Sequence, residues 1–258
     1  MSGTAGRKAL VLGGGRGIGA ATAQALARDG AEVMIGARSR AEINAVVQSI
    51  RAEGGACHGQ TVDVTEAASV DRFVEFARAH MGDIDILVNS AGFFEPKDFV
   101  ETSDADWTRN FEVNVLGTVR PCRAVLPGMA NQGWGRVVNI ASTAGKYGSY
   151  GQSAYNATKH AVVGLTRSLA LEVADRGVTV NAVCPGFIHT RLLDHEGFRE
   201  QHDIDSHEQL DEVLSRRVPI GRLVRADEVA AMCVYLCGPA AAAVTGQAYT
   251  IAGGMLLI

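Results

Sequence analysis

The sequence lacks both a long apolar run and a surplus of positive charge. No apolar stretch could span a bilayer, and the first residues show neither the basic region nor the apolar stretch of a signal peptide. The 24 lysines and arginines, set against 28 acidic residues, give a formal net charge of -4 and are scattered along the chain. A nucleic-acid site would need basic residues gathered on one surface. We expect a cytoplasmic protein that binds neither membranes nor nucleic acids.

The cysteines lack the number and spacing of a disulfide framework or a thiolate metal site. There are 5 of them, an odd number, and no two form a C-x-x-C pair. We therefore expect reduced thiols and no metal. A metal-dependent hydrolase stays as a minor alternative because His189, His195, His202 and His207 have acidic neighbours, although their spacings match no helical ligand motif.

Internal repeats, low-complexity tracts and linkers are also missing, so we predict one domain over residues 1–258. Short apolar runs alternate with helical patterns, which is typical of a parallel sheet with right-handed crossovers. The predicted strands are Lys8–Leu12, Ala31–Gly36, Cys57–Val62, Ile84–Val88, Arg136–Ile140, Val178–Val183 and Ala248–Ile251. The predicted helices are one that ends at Arg28, Ala41–Glu53, Glu66–His80, Ser103–Val119, one that carries Tyr155, and Asp227–Leu236. The expected fold is α/β and doubly wound, with a seven-stranded parallel sheet flanked by helices on both faces.

A glycine-rich turn follows the first predicted strand and opens the first helix. It reads Gly13-Gly14-Gly15-Arg16-Gly17-Ile18-Gly19. Glycines there let the backbone approach a pyrophosphate, and the helix N-terminus offers free N–H groups and the positive end of its dipole. A glycine turn can also be a plain β–α corner, but its place after a buried strand favours a dinucleotide site of the Rossmann type.

The acid that would hold the adenosine ribose of NAD is missing from the end of the second strand. Ala37 and Arg38 stand there instead. The guanidinium of Arg38 suits a phosphate, and Arg16 in the glycine turn could reach the same group. The sequence therefore predicts NADP(H) as the cofactor.

Small and polar residues mark the ends of the next strands. Asp63 follows the third strand, and Asn89-Ser90-Ala91-Gly92 follows the fourth, where small side chains leave room for the adenosine half of a cofactor. Asn114 lies inside the predicted helix Ser103–Val119. It either faces solvent or is buried and hydrogen-bonded between Val113 and Val115.

Tyr155 and Lys159 are four residues apart on a predicted helix, so they lie on one face. The lysine, a cationic cofactor ring and a partly dry site would together lower the pKa of Tyr155 from about 10 to about 7, which requires about 4 kcal/mol. Such a tyrosine can protonate a carbonyl oxygen as hydride arrives. Ser142 follows the fifth strand, at the edge where open α/β sheets place ligands.

Taken together, these residues resemble the short-chain dehydrogenase/reductase family over nearly the whole chain. The matching positions are Gly13-x-x-x-Gly17-Ile18-Gly19, Asp63, Asn89-Ser90-Ala91-Gly92, Asn114, Ser142, Tyr155-x-x-x-Lys159 and Pro185-Gly186. Among the branches of the family the chain is similar to 3-oxoacyl carrier-protein reductases and to aromatic-polyketide ketoreductases. Where the latter have a Pro-Gly-Gly element, this chain reads Phe93-Phe94-Glu95-Pro96.

The resemblance implies a role for each matching residue. Tyr155 would be the general acid, Ser142 would bind the substrate oxygen, and Lys159 would lower the pKa of Tyr155 and hold the nicotinamide ribose. Asn114 would hold a water in a proton relay, and Thr190 would bind the carboxamide. The predicted cofactor site consists of Gly13, Arg16, Gly17, Ile18, Gly19, Arg38, Asp63, Val64, Asn89, Ala91, Gly92, Tyr155, Lys159, Pro185, Gly186, Ile188 and Thr190. The predicted substrate pocket consists of Phe93, Phe94, Thr143, Tyr147, Tyr150, Phe187, Leu210 and Leu214.

The stretch from about 187 to 217 is predicted to be an irregular substrate lid. Its acidic residues outnumber its arginines, which would repel acyl carrier proteins and coenzyme A thioesters. Those acids are Asp194, Glu196, Glu200, Asp203, Asp205, Glu208, Asp211 and Glu212. Leu210, Val213 and Leu214 have helical spacing and could turn an apolar face inward. The main prediction is therefore an NADPH-dependent reductase of neutral or cationic ketones, particularly aryl or bulky alkyl ketones.

Two other functions stay open. A 3-oxoacyl thioester or polyketide ketoreductase is the first, because Arg120, Arg123 and Arg167 could form a compensating basic patch. A catalytically silent NADP(H)-sensing protein is the second, although the complete Ser, Tyr, Lys and Asn set argues against it. The apolar tail Met255–Ile258 and the common state of the family predict a homotetramer.

Overall fold

A computed structural model describes residues 3–188 and 206–257 of the chain. It contains a seven-stranded, wholly parallel sheet in the order β3-β2-β1-β4-β5-β6-β7. The strands are β1 Lys8–Leu12, β2 Glu32–Ala37, β3 Cys57–Thr61, β4 Ile86–Asn89, β5 Gly135–Ile140, β6 Val178–Pro185 and β7 Ala248–Ile251. The α-helices are α1 Gly17–Arg28, α2 Arg40–Ala52, α3 Ala67–Met81, α4 Asp104–Phe111, α5 Gly117–Gln132, α6 Ser153–Val173, α7 His207–Ser215 and α8 Ala226–Cys237. The predicted fold is confirmed.

Two layers of helices bury the sheet from opposite sides. Residues such as Val11 on β1 pack with α1, α2 and α8, whereas its neighbour Leu10 packs with α3, α5 and α6. Successive strand residues point to opposite faces, so both faces of β1 meet apolar helices. This double burial explains why the strands read as continuous apolar runs instead of alternating ones.

The order of the strands reverses between β1 and β4, which are neighbours in the sheet with Leu12 opposite Asn89. The chain leaves β1 and β4 towards opposite faces, and a crevice opens between the two departing loops. The glycine turn that starts at Gly13 and the loop at Ser90 therefore flank one site at the carboxyl edge of the sheet.

The predicted helix Ser103–Val119 is wrong in two respects: the helical segment continues to Gln132, and it is not a single regular α-helix. Three helical segments follow one another: α4, a π-helical turn over Glu112–Leu116, and α5. Pro121 and Pro127 lie beyond the predicted end, inside α5. A proline removes one backbone hydrogen bond, but here the helix continues because its apolar face is packed against the sheet.

The predicted irregular stretch before Arg217 is also wrong in part, because α7 lies within it. Ser206 caps this helix by accepting a hydrogen bond from the backbone N–H of Gln209 at 3.2 Å. Leu210 and Leu214 are buried, as their helical spacing predicted. Residues 189–205 lie outside the described residues, and the side chain of His207 is not described either. Three of the four histidines of the hydrolase alternative are therefore outside the described chain.

No helix in the described part of the chain is both long and apolar enough to cross a membrane. The five cysteines all fall within that part and are buried, free thiols.

Candidate active site

A cavity of about 1220 Å³ opens at the carboxyl ends of β1, β4, β5 and β6. One part of its wall carries most of the residues predicted for the dinucleotide, namely Gly13, Arg16, Gly17, Ile18, Arg38, Asp63, Val64, Ala91 and Gly92. The other part carries Ser142, Tyr155, Lys159, Pro185, Gly186 and Ile188. The fold thus brings together residues from seven separate segments of the chain.

The glycine turn is packed too tightly for larger residues. Gly13 has a φ of 77°, and a Cβ there would lie 2.5 Å from the backbone nitrogen of Ala91. A Cβ on Gly19 would overlap the carbonyl oxygen of Gly13. Arg16, the residue before α1, makes no side-chain cap, and the first turn of α1 has no acidic residue. The backbone N–H groups at the N-terminus of α1 are thus available to an anion, as the binding of a cofactor pyrophosphate requires.

Charged residues of both signs line the part of the cavity next to β2. Arg16 and Arg38 both line it, and Ala37 supplies no acid at the end of β2. Asp63 accepts hydrogen bonds from the N–H and hydroxyl of Thr65 at 2.9 and 2.7 Å. Burial acts to raise the pKa of Asp63, but these bonds and the charge of Arg38 lower it below its usual value.

The proposed catalytic side chains meet where β5 ends and α6 begins. Ser142 caps a short 3₁₀ turn, accepting from the N–H of Ala144 at 3.1 Å, and is hydrogen-bonded to the Tyr155 hydroxyl. The Lys159 ammonium donates to the carbonyl of Ile140 at 3.1 Å and lies 5.6 Å from the centroid of the Tyr155 ring. Tyr155 and Lys159 are both buried.

Without a cofactor the pKa of Tyr155 is raised; the predicted lowering, which also called on a bound cationic cofactor ring, stays a prediction. Burial raises the pKa of Tyr155 to about 12, and the hydrogen bond with Ser142 offsets this only in part. Burial also lowers the pKa of Lys159 to about 8. A charged group loses hydration when it is buried, so each side chain is pushed towards its neutral form. The phenol therefore keeps its proton at neutral pH.

Asn114 is buried, so the solvent-facing alternative is wrong. It lies in the π-helical turn, and its side chain forms hydrogen bonds with the loop after β4. Its Oδ1 accepts from the N–H of Phe93 at 2.8 Å, and its Nδ2 donates to the Phe93 carbonyl at 2.9 Å and to the Thr158 hydroxyl at 3.1 Å. This arrangement holds the loop beside α6; the water relay stays a prediction.

Aromatic side chains line the cavity next to Tyr155. The predicted pocket residues found in its wall are Phe93, Phe94, Thr143, Tyr147, Tyr150 and Phe187. The ring of Phe94 meets that of Tyr155 edge to face, with 4.9 Å between centroids. Leu210 and Leu214 pack in the same apolar cluster as these two rings but are not in the wall itself.

Two of the described residues predicted for the cofactor, Asn89 and Gly19, do not line the cavity. Asn89 is buried, and its Nδ2 donates to Asn139 Oδ1 at 2.9 Å. Gly19 lies behind the turn, against Gly13. Thr190 lies outside the described residues.

Sequence reasoning also missed two charged residues in the wall, Glu42 and Arg109, whereas Arg217 in the wall is the last residue of the predicted lid. Glu42 had a local signal, since Ser39 three residues earlier makes a capping pattern that places it in the first turn of α2. Arg109 had none, because only the folded chain brings it to the cavity.

Comparison with known proteins gives consistent matches. A family model described as enoyl-(acyl carrier protein) reductase matches residues 13–256. A 3-oxoacyl-[acyl-carrier-protein] reductase of Pseudomonas aeruginosa is 37% identical over 252 residues, 98% of each chain. A variant of the actinorhodin polyketide ketoreductase, solved with NADPH, superposes with a TM-score of 0.93 at 38% identity, covering 96% of this chain and 97% of that one. A gluconate 5-dehydrogenase from Burkholderia cenocepacia, solved with NADP and tartrate, gives a TM-score of 0.87 at 31% identity, covering 97% and 95%.

Proposed function

Because the chain belongs to the short-chain dehydrogenase/reductase family, we propose that it uses NADPH to reduce the ketone of a 3-oxoacyl or polyketide thioester to a secondary alcohol. The family assignment confirms the resemblance found in the sequence. The chain is an oxidoreductase that acts on C=O and CH–OH groups, and the silent sensing alternative loses its support.

NADP(H) is the cofactor, as the missing ribose acid and the two arginines predicted. The ketoreductase and the gluconate dehydrogenase compared above hold NADPH and NADP. In this chain the first turn of α1 would bind the pyrophosphate, Arg16 and Arg38 the 2′-phosphate, and Lys159 the nicotinamide ribose. When bound, the cofactor supplies the hydride.

The observation that carries the proposal is the buried Tyr155 hydroxyl, hydrogen-bonded to Ser142 in the cavity wall. Ser142 would donate a hydrogen bond to the ketone oxygen. Tyr155, whose raised pKa keeps the phenol protonated, would donate its proton to that oxygen as negative charge develops there. This protonation state is the one that reduction requires.

Lys159 would stabilise the charge left on Tyr155 after proton transfer. With a pKa of about 8, its ammonium is largely protonated at neutral pH. It lies on the same helix face as the phenol, in a site sheltered from water where a charge interaction is stronger than in bulk solvent. The ammonium of Lys159 therefore stabilises the Tyr155 phenolate more than it stabilises the neutral phenol.

The choice of a thioester substrate rests on the relatives. The two relatives at 38% and 37% identity are named as a polyketide ketoreductase and a 3-oxoacyl reductase, whereas the gluconate dehydrogenase is only 31% identical. The acidic-lid argument for neutral ketones depends mostly on acids within residues 194–205, which lie outside the described residues. Within the described wall, Arg109 and Arg217 add positive charge, although Glu95 lies 3.8 Å from Arg109.

A substrate panel separates the thioester proposal from the ketone prediction. With NADPH, we expect kcat/KM for acetoacetyl-coenzyme A and for neutral acetoacetyl-N-acetylcysteamine to exceed that for propiophenone by about tenfold or more, the equivalent of about 1.4 kcal/mol. A tenfold preference for propiophenone would instead support aryl ketones, which the aromatic wall also favours. Arg217→Ala should lower kcat/KM for the coenzyme A ester alone, because only that ester carries phosphates.

The cofactor assignment makes a second prediction. The double substitution Ala37→Asp and Arg38→Leu should shift preference towards NADH, because it adds a ribose-binding carboxylate and removes a phosphate-binding cation. The measurement is kcat/KM with each cofactor. Arg40→Leu serves as the control. Arg40 does not line the cavity and its guanidinium donates a hydrogen bond to Gln60 at 2.8 Å, so this substitution should leave the cofactor preference unchanged. Equal use of NADH and NADPH by the native protein would contradict the arginine argument.

The homotetramer, the cytoplasmic location and the single domain over residues 1–258 stay predictions. The side chain of Leu257 in the apolar tail is 87% exposed in the single chain, which supports a contact between copies.

A further inference from the structure

Glu42 places a carboxylate in the part of the cavity that we assign to the adenosine ribose, although the end of β2 supplies no acidic residue. Glu42, in the first turn of α2, lines this part together with Ala37 and Arg38. A Cβ built on Gly15 would lie 3.2 Å from the Cβ of Ala37 and 3.4 Å from Glu42 Oε2. The carboxylate is therefore held against the glycine turn.

The same carboxylate faces one of the two arginines assigned to the 2′-phosphate. Glu42 Oε1 lies 3.6 Å from Arg16 Nη1, and the two side chains are 30% and 55% exposed. Exposed ion pairs of this kind are weak because water and salt screen them. Arg16 can thus exchange Glu42 for another anion at little cost.

A 2′-phosphate changes the balance of charge at this place. It carries close to two negative charges and would take Arg16 from Glu42, leaving the carboxylate beside a like charge. A ribose with a free 2′-hydroxyl adds no charge, so the pair between Arg16 and Glu42 can persist. The carboxylate therefore acts against one form of the cofactor only.

We propose that Glu42 determines how strongly this site discriminates between phosphorylated and unphosphorylated cofactors, because its charge opposes the 2′-phosphate and competes for Arg16. The inference rests on the proposed NADP(H) site. It concerns nucleotide binding, and needs neither a substrate nor turnover.

The test measures binding of two fragments to the full-length protein by calorimetry. Adenosine 2′,5′-bisphosphate carries the 2′-phosphate, and 5′-AMP lacks it. In Glu42→Gln the bisphosphate should bind about three- to tenfold more tightly at low salt, as expected when one like charge a few ångströms away is removed. The Kd of 5′-AMP should change less than about twofold. The gain should shrink at 1 M salt, where the screening length is about 3 Å.

Two further variants guard against indirect effects. Glutamine suits the third position of a helix as well as glutamate does, so Glu42→Gln should keep the Tm. Glu42→Ala removes the charge differently and should shift binding in the same direction. Glu53→Gln is the matched control, because Glu53 ends the same helix and pairs with Arg28 at 2.7 Å away from the cavity. It should change neither Kd.

Unchanged binding of the bisphosphate, or equal tightening of 5′-AMP, would overturn the inference. The result does not depend on catalysis, so a protein that reduced no ketone could still support it. Conversely, ketone reduction with unaltered nucleotide binding in both variants would reject only the role of Glu42.

Discussion

Tyr155→Phe is expected to lower kcat by about 10²–10⁴ while NADPH still binds. The phenylalanine ring can keep the edge-to-face contact with Phe94, at 4.9 Å between centroids, so the change removes the hydroxyl alone. No other group assigned to the site would donate a proton to the ketone oxygen. Steady-state kcat and the Kd of NADPH from fluorescence titration together measure the effect.

The matched control for that substitution is Tyr235→Phe. Tyr235 lies on α8, is 44% exposed and does not line the cavity, so losing its hydroxyl should leave kcat unchanged. Near-normal turnover of Tyr155→Phe would refute the acid assignment. A large rise in the Kd of NADPH would show instead that the hydroxyl acts mainly in binding.

Gly19→Ala is expected to weaken NADPH binding by about 100-fold, the equivalent of about 2.7 kcal/mol, and to lower the Tm. The new Cβ would overlap the carbonyl oxygen of Gly13, a backbone atom that cannot rotate away. The whole turn must therefore shift, which moves the first N–H groups of α1 away from the pyrophosphate. Calorimetric titration with NADPH and thermal melting measure both effects.

Gly164→Ala is the control for that prediction. Gly164 lies in α6, has a negative φ, and a Cβ there would meet no atom within 4 Å. Alanine favours a helix over glycine by about 1 kcal/mol, so this variant should melt slightly higher and bind NADPH normally. Normal NADPH affinity in Gly19→Ala would show that the turn tolerates a side chain and that the packing argument is wrong.

Much of the fold follows from local patterns. The first and last strands, Lys8–Leu12 and Ala248–Ile251, have the bounds that the sequence predicted, and most other strands differ by one or two residues. Buried parallel strands need apolar residues on both faces, and the turns that end them need glycine or small residues. Both requirements act over a few residues, so they are visible in the sequence.

The errors arise where distant contacts override local preference. The sequence predicted that this helix ends at Val119, but its apolar face packs on the sheet and α5 continues to Gln132. From the sequence, Asn114 could be either exposed to solvent or buried, because the Phe93 loop that hydrogen-bonds to it is distant in the chain. For Tyr155, the sequence showed the nearby lysine, whereas the full burial that raises its pKa in the absence of a cofactor is visible only in the fold.

The sequence by itself determined the parallel α/β architecture, because that depends on residue type and short-range spacing. It also predicted the dinucleotide turn and the pairing of Tyr155 with Lys159, and the family resemblance added Ser142. Only the tertiary structure decided how far Tyr155 and Lys159 are buried. It also decided that Asn114 forms hydrogen bonds with Phe93 and that Glu42 lies beside Arg16. Burial and charge pairing depend on segments far apart in the chain, which meet only when the sheet is assembled.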